Sequence, residues 1–193
     1  MSWHNIFSFA AIVLTFVAFF PYYRAIIREE TKPHIFSWFI WAFGTIVVFV
    51  AQLSDGAGVG AWPIGLSGLI TLGVPFVALA KSADRSIVAL DWVFLALASL
   101  ALPLWLVTET ALLAVLILTT VDLLGFGPSI RKAYWHPYEE NTLFFVLGAL
   151  RNGFVLLALE NVTIVTALFP LAVGVACILF VLFIIWRRRS IAL

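Results

Sequence analysis

Charge is scarce in this chain. Only 11% of its 193 residues are Asp, Glu, Lys or Arg, where a soluble domain carries roughly 25%. With 64% hydrophobic residues and a mean hydropathy of +1.12, there is too little polar surface to face water on all sides. Lipid is therefore the expected solvent. A net charge of +1 gives no reason to expect nucleic acid as a partner. The single cysteine, Cys177, excludes an internal disulfide and any cysteine-based metal site. It lies in an apolar run and reads as a packing residue. No P-loop, HExxH, CxxC or GxSxG pattern occurs, and His4, His34 and His136 fall at helix ends or in connections. These absences predict no catalytic residues, no metal, no cofactor and no enzyme activity. No Lys or Arg and no cleavage pattern precede the first apolar run, which reads as a retained helix rather than a signal peptide.

What is present is a series of apolar segments. A membrane-crossing helix needs about 20 mostly apolar residues. Seven stretches meet or approach that length, at about 5–23, 34–53, 59–80, 88–107, 111–128, 142–159 and 163–186. The longest connections, 24–33 and 129–141, are still short, so a compact up-down bundle is expected. The basic residues sort by side. Arg24, Arg28 and Lys32 follow the first span, Lys81 and Arg85 the third, Arg131 and Lys132 the fifth, and Arg187, Arg188 and Arg189 the seventh. Arg151 alone lies within a span. The excess of Lys and Arg marks the cytoplasmic face. The N-terminus is then expected outside and the C-terminus in the cytoplasm, in a bacterial inner (plasma) membrane.

The second part of the chain repeats the layout of the first at an offset of 107 residues. Pro21 falls on Pro128, Arg24 on Arg131, Pro63 on Pro170 and Lys81 on Arg188, without a gap. Identity across the offset is low; the register of prolines, basic residues and helix ends carries it. The fold expected is all-α and integral to the membrane, with seven transmembrane helices in a 3+1+3 order. Residues 1–86 form one three-helix repeat, 87–107 a linker helix and 108–193 the second repeat. An odd number of helices per repeat would invert the second unit, and the linker restores parallel orientation. Internal repeats of this kind are common in transporters, where two units rock about a central site.

The arrangement resembles the PQ-loop and SWEET superfamily. The stretch PYYRAIIREETKPHIFSW, from Pro21 to Trp38, is similar to a first PQ-loop in its proline, its following basic residue, its Thr-Lys pair and the serine entering the next helix. The glutamine of the motif is missing: Tyr22 follows Pro21 and Ser129 follows Pro128. The chain thus resembles a distant branch, and the substrates of better-known members do not transfer. The resemblance implies a transporter working by alternating access, with Pro21, Pro128, Pro63 and Pro170 as hinge or gate points. Ordinary helix termination is the alternative for Pro21 and Pro128.

Two charges lie deep within spans, Asp122 and Arg151. A charge near mid-bilayer costs about 3 kcal/mol on insertion scales, so it faces protein or water and commonly has a partner. Their depths agree, and their counterparts across the offset, Thr15 and Gly44, are uncharged. They are expected either as a static pair or as a substrate-binding or proton-coupling site. Polar and aromatic residues at helical spacing suggest a lined path: Trp38, Trp41 and Thr45 in the second span, Trp62, Ser67 and Thr71 in the third, and Asn152 in the sixth. Close helix packing is the alternative for the small and hydroxyl residues. Ring faces beside a few polar groups suit a sugar-like or nucleoside-like solute, and the PnuC-type carriers of related fold point the same way. The expected partners are the lipid bilayer, a small-molecule solute and protons; a monomer suffices, and a homo-oligomer is compatible. A non-transporting membrane receptor or binding protein of the same fold, as in the KDEL-receptor branch, is the rival reading.

Overall fold

The computed structural model describes residues 2–30, 33–81, 83, 85, 87, 89–140 and 142–191. The side chains of Leu90, Pro128, Arg131, Lys132 and Glu139 lie outside that description, as does Lys32 altogether. The described residues are helical, with no strand element. The helices are α1 (Trp3–Ile27), α2 (Ile35–Ser54), α3 (Trp62–Ala80), α4 (Ala89–Thr108), α5 (Ala111–Leu124), α6 (Phe126–Trp135), α7 (Thr142–Ala158) and α8 (Ile164–Ile191). A 3-10 turn, Gly58–Ala61, leads into α3, and a second, Pro137–Glu139, precedes α7. Five helices are long and apolar enough to cross a membrane: α1, α2, α3 with its leading turn, α4 and α8. The chain therefore has the makings of an integral membrane protein. Helices α5 and α7 are apolar but shorter, at 14 and 17 residues.

Three boundaries depart from the sequence reading; one is the seventh stretch, expected to end at 186, which runs on to Ile191 as α8. The first span runs past Pro21 to Ile27, so Pro21 lies inside α1 and does not end it. A proline removes one backbone bond, which does not stop a helix of 25 residues whose remaining bonds are intact. The helix ends instead at Arg28 and Glu29, where the Glu29 backbone turns to φ +61°. The fifth span, expected to reach residue 128, stops at Leu124. Gly125 makes a turn there, and α6 follows with Pro128 in its first turn of backbone. A Cβ on Gly125 would lie 2.8 Å from the Trp41 ring. Only glycine lets α2 approach the end of α5 so closely.

Helix entries are secured locally. Ser2 caps α1 by accepting from the Asn5 N–H at 3.4 Å. His34 caps α2 by accepting from the Ser37 N–H at 3.4 Å, and its other ring nitrogen lies 3.7 Å from Asp91 of α4. Thr163 and Thr166 exchange bonds at the start of α8: the Thr163 N–H donates to Thr166 Oγ1 at 2.8 Å and the Thr166 N–H to Thr163 Oγ1 at 3.2 Å. Reciprocal bonds of this type satisfy the free donors of a first turn.

Packing places α2 against α3, α7 against α8, α1 against α7 and α3, and α5 against α8, α2 and α4. The main core gathers Ala11, Val48, Ile64, Val115, Leu118, Val155 and Phe169, which come from α1, α2, α3, α5, α7 and α8. Small residues permit this density. A Cβ on Gly60 would sit 2.7 Å from the Leu159 backbone nitrogen, so the turn before α3 rests directly on the end of α7.

Candidate functional site

Both in-span charges lie between helices, but they do not meet. Arg151 of α7 points toward α1 and α3. Its Nε donates to Thr15 Oγ1 at 3.2 Å and its Nη2 to the Pro63 carbonyl at 3.3 Å. Thr15 is fully buried and donates its own hydroxyl to the Ala11 carbonyl at 2.9 Å. The guanidinium is thus held by two neutral acceptors on two neighbouring helices. Asp122 of α5 instead borders α2 and α8. Its carboxylate has no hydrogen bond and no ion pair within 4.0 Å among the described residues, although the charges of Asp122 and Arg151 are within electrostatic reach of each other. The sequence reading allowed a direct contact. Helix depth fixed how far each residue sits from the interface but not the direction in which each side chain points.

Asp122 opens on a small cavity. Its wall includes Trp41, Gly44 and Thr45 of α2, Leu118 of α5 and Phe169 of α8. The cavity measures about 10 Å³, close to the minimum that admits one water molecule. Its floor exists because position 44 has no side chain; a Cβ there would lie 3.3 Å from Leu118 Cδ2.

An aromatic series adjoins this cavity. Trp41 meets Trp38 edge to face at 5.5 Å, Trp38 stacks on Tyr22 at 5.0 Å, and Phe19 touches both Trp38 and Phe144. Of the residues expected along a path, Trp38, Trp41 and Thr45 therefore lie together near Asp122. Ser67 and Thr71 are buried on α3. Asn152 is 1% exposed; its amide donates to the Gly148 carbonyl at 2.9 Å, and its Oδ1 is a buried acceptor without a partner among the described residues. Trp62 is 56% exposed and leans on Phe49, so it lines no part of this cavity.

The prolines have a role that local spacing did not reveal. Proline at position i leaves the carbonyl at i−4 without its helical donor. Val59, four residues before Pro63, lies in the 3-10 turn ahead of α3, and Ser8 donates to its carbonyl at 2.7 Å. Pro170 leaves that of Thr166, and Gln52 donates to it at 2.6 Å. Val59 and Thr166 are themselves 107 residues apart. In a membrane an unsatisfied carbonyl costs several kcal/mol, so each donor is structurally important. Ser8 and Gln52 were visible in the sequence as polar residues of apolar helices; the signal for their role is the proline four residues beyond the acceptor. Pro21 lies inside α1, and the Pro128 side chain is outside the described residues.

A third group joins the α2–α3 and α7–α8 connections. Asn161 Nδ2 donates to the Asp55 carbonyl at 2.9 Å, and Thr163 Oγ1 donates to the Asp55 carboxylate. The Glu160 N–H donates to the Ala57 carbonyl at 3.1 Å, and Glu160 Oε1 accepts from the Val59 N–H at 3.3 Å. Gly56 and Gly58 allow it, with φ of +78° and +60° at a surface that Asn161 and Glu160 cover.

Taken together, the fold and site define an all-helical chain of membrane type with a carboxylate-lined cavity between its helices. No protein-family model, curated protein or solved structure matches the chain.

Proposed function

We propose that this chain is a small polytopic membrane transporter of the PQ-loop and SWEET type, moving a small polar solute by alternating access. In this reading two parallel three-helix units are α1–α3 and α5–α8, with α4 as the linker and α6 as a short interfacial segment of the second unit. The observation that carries it is the exchange of contacts across the 107-residue offset. Helix α1 packs on α7, and α5, its counterpart, packs on α2. The pairs α2 with α3 and α1 with α3 are likewise matched by α7 with α8 and α5 with α8. Two units related in this way enclose a site on their shared axis, and Asp122 and its cavity lie at such a contact, between α2 and α5.

The positive-inside rule puts the α2–α3 and α7–α8 connections on the outer side. Their hydrogen bonds join the two units there, so this conformation is closed to the outside. Trp38, Trp41, Thr45, Asn152, Ser67 and Thr71 are the pathway residues of this reading, sugar-like and nucleoside-like compounds are the first solutes to test, and Asp122 is the group able to couple a proton. The four prolines are the hinge or gate points of this reading; Pro21 and Pro170 lie inside α1 and α8, where each removes a backbone bond and lets the helix bend.

The experiment is counterflow in proteoliposomes. Purified protein is loaded with unlabelled sugars, nucleosides or amino acids and challenged with the labelled compound. Saturable accumulation supports transport. Saturable binding without counterflow supports a receptor of the same fold.

A further inference from the structure

The two in-span charges occupy corresponding contacts, and the comparison of those contacts describes a ligand. Across the offset Thr15 corresponds to Asp122, Arg151 to Gly44, and Pro63 to Pro170. At the α1–α7 contact an arginine side chain from α7 reaches the residue at position 15 of α1 and the carbonyl of Pro63 on α3. At the α2–α5 contact the acceptor has become stronger and the donor has gone. The threonine is replaced by the Asp122 carboxylate, and the arginine by Gly44. Where the missing side chain would lie there is the cavity, bordered by Gly44, Asp122 and Phe169, the neighbour of Pro170.

We propose that this cavity is a site for the cationic group of a solute, a guanidinium or a primary ammonium, which takes the place that the Arg151 side chain fills at the corresponding contact. The inference rests on the two-unit reading given above and narrows its solute to one carrying positive charge at the end that meets Asp122.

Three observations support it. Asp122 has no hydrogen-bond partner among the described residues, and a carboxylate in an apolar surrounding needs one. Arg151, the cation within electrostatic reach of Asp122, is held away by Thr15 and Pro63 and leaves that need unmet. The wall beside Asp122 is aromatic, with Trp41 at the cavity and Trp38 and Tyr22 behind it. Aromatic rings next to a carboxylate favour cations over neutral solutes of equal size. In this closed conformation the cavity holds about one water, so the cation enters only when the units part and α2 moves from α5.

The test uses two probes of one shape and different charge, methylguanidinium and N-methylurea, at low millimolar concentration. Thermal stability of the purified full-length protein is followed in detergent. Methylguanidinium is expected to raise the melting temperature saturably, and N-methylurea is not. Asp122→Asn is expected to weaken the response about tenfold or more, since a hydrogen bond to a charged group is lost. Gly44→Arg restores the missing side chain and is expected to abolish the response while the protein remains folded. Asp122→Asn preserves volume, so it keeps the test decisive if Gly44→Arg fails to fold. An equal response to N-methylurea, no response to either probe, or an unchanged response in Asp122→Asn overturns the proposal. Counterflow measured on the same preparations separates this inference from the transport reading. Cation binding without counterflow removes transport and leaves the site. Counterflow of neutral solutes without cation binding removes the site and leaves transport.

Discussion

Arg151 and Asp122 are both charged, both set in apolar helices and both placed between neighbours, yet they are treated in opposite ways. Arg151 donates to Thr15 and to the Pro63 carbonyl, so its charge is satisfied by the protein. Asp122 borders a cavity and receives no hydrogen bond among the described residues. A half-buried charge with partners holds helices together; one without them is available for something else. The difference separates a cation tied to two neighbouring helices from an anion to which the described residues give no hydrogen bond, a distinction their sequence positions alone left open.

The contrast can be broken at several points. Arg151→Leu should have the largest effect on stability. It removes two hydrogen bonds made by a charged group, each worth about 1.5–3 kcal/mol, and a loss of about 3 kcal/mol in a reversible unfolding assay in bicelles is the expected result. Gln52→Leu should follow. It strips the donor from the Thr166 carbonyl that Pro170 leaves open, at about 2 kcal/mol for a buried acceptor left unsatisfied. Thr15→Val should cost least of the three, about 1.5 kcal/mol, because Arg151 keeps the Pro63 carbonyl. The same assay, run on Arg151→Leu with Thr15→Val together, sharpens the assignment: the double variant should lose little more than Arg151→Leu alone, since the bond between them is already gone. A fully additive loss would mean that Thr15 contributes through something other than Arg151.

Most of the helical layout was legible in the sequence because apolar length alone specifies a membrane-type helix. Four of the seven expected stretches match a helix to within three residues at each end, while the first and seventh run on to Ile27 and Ile191 and the fifth stops early at Leu124. One local rule was overridden. Pro21 was expected near the end of its helix, and α1 continues for six residues beyond it to Ile27. The fifth span ends at Leu124, whose carbonyl loses its helical donor to Pro128, and Gly125 beside it makes room for Trp41. The site was legible in composition but not in wiring. Asp122, Arg151, Trp41 and Thr45 stood out as unusual residues for their helices, and depth along the helix could be computed from the rise per residue. Which neighbour each side chain meets depends on the rotation of the helix and on which helices pack together. Neither is encoded in spacing within one segment. The pairing of Gln52 with the Thr166 carbonyl spans 114 residues and rests on the same missing information.

The account is tested most directly by melting Asp122→Asn and Arg151→Gln side by side with the wild type, in one detergent and without added solute. Asp122→Asn should unfold within about 1 kcal/mol of the wild type, because no hydrogen bond of the protein is lost. Arg151→Gln should be clearly less stable, having given up the charge that Thr15 and Pro63 hold. Equal destabilisation of the two variants, or greater loss from Asp122→Asn, would contradict the assignment of Arg151 to the scaffold and Asp122 to the solute.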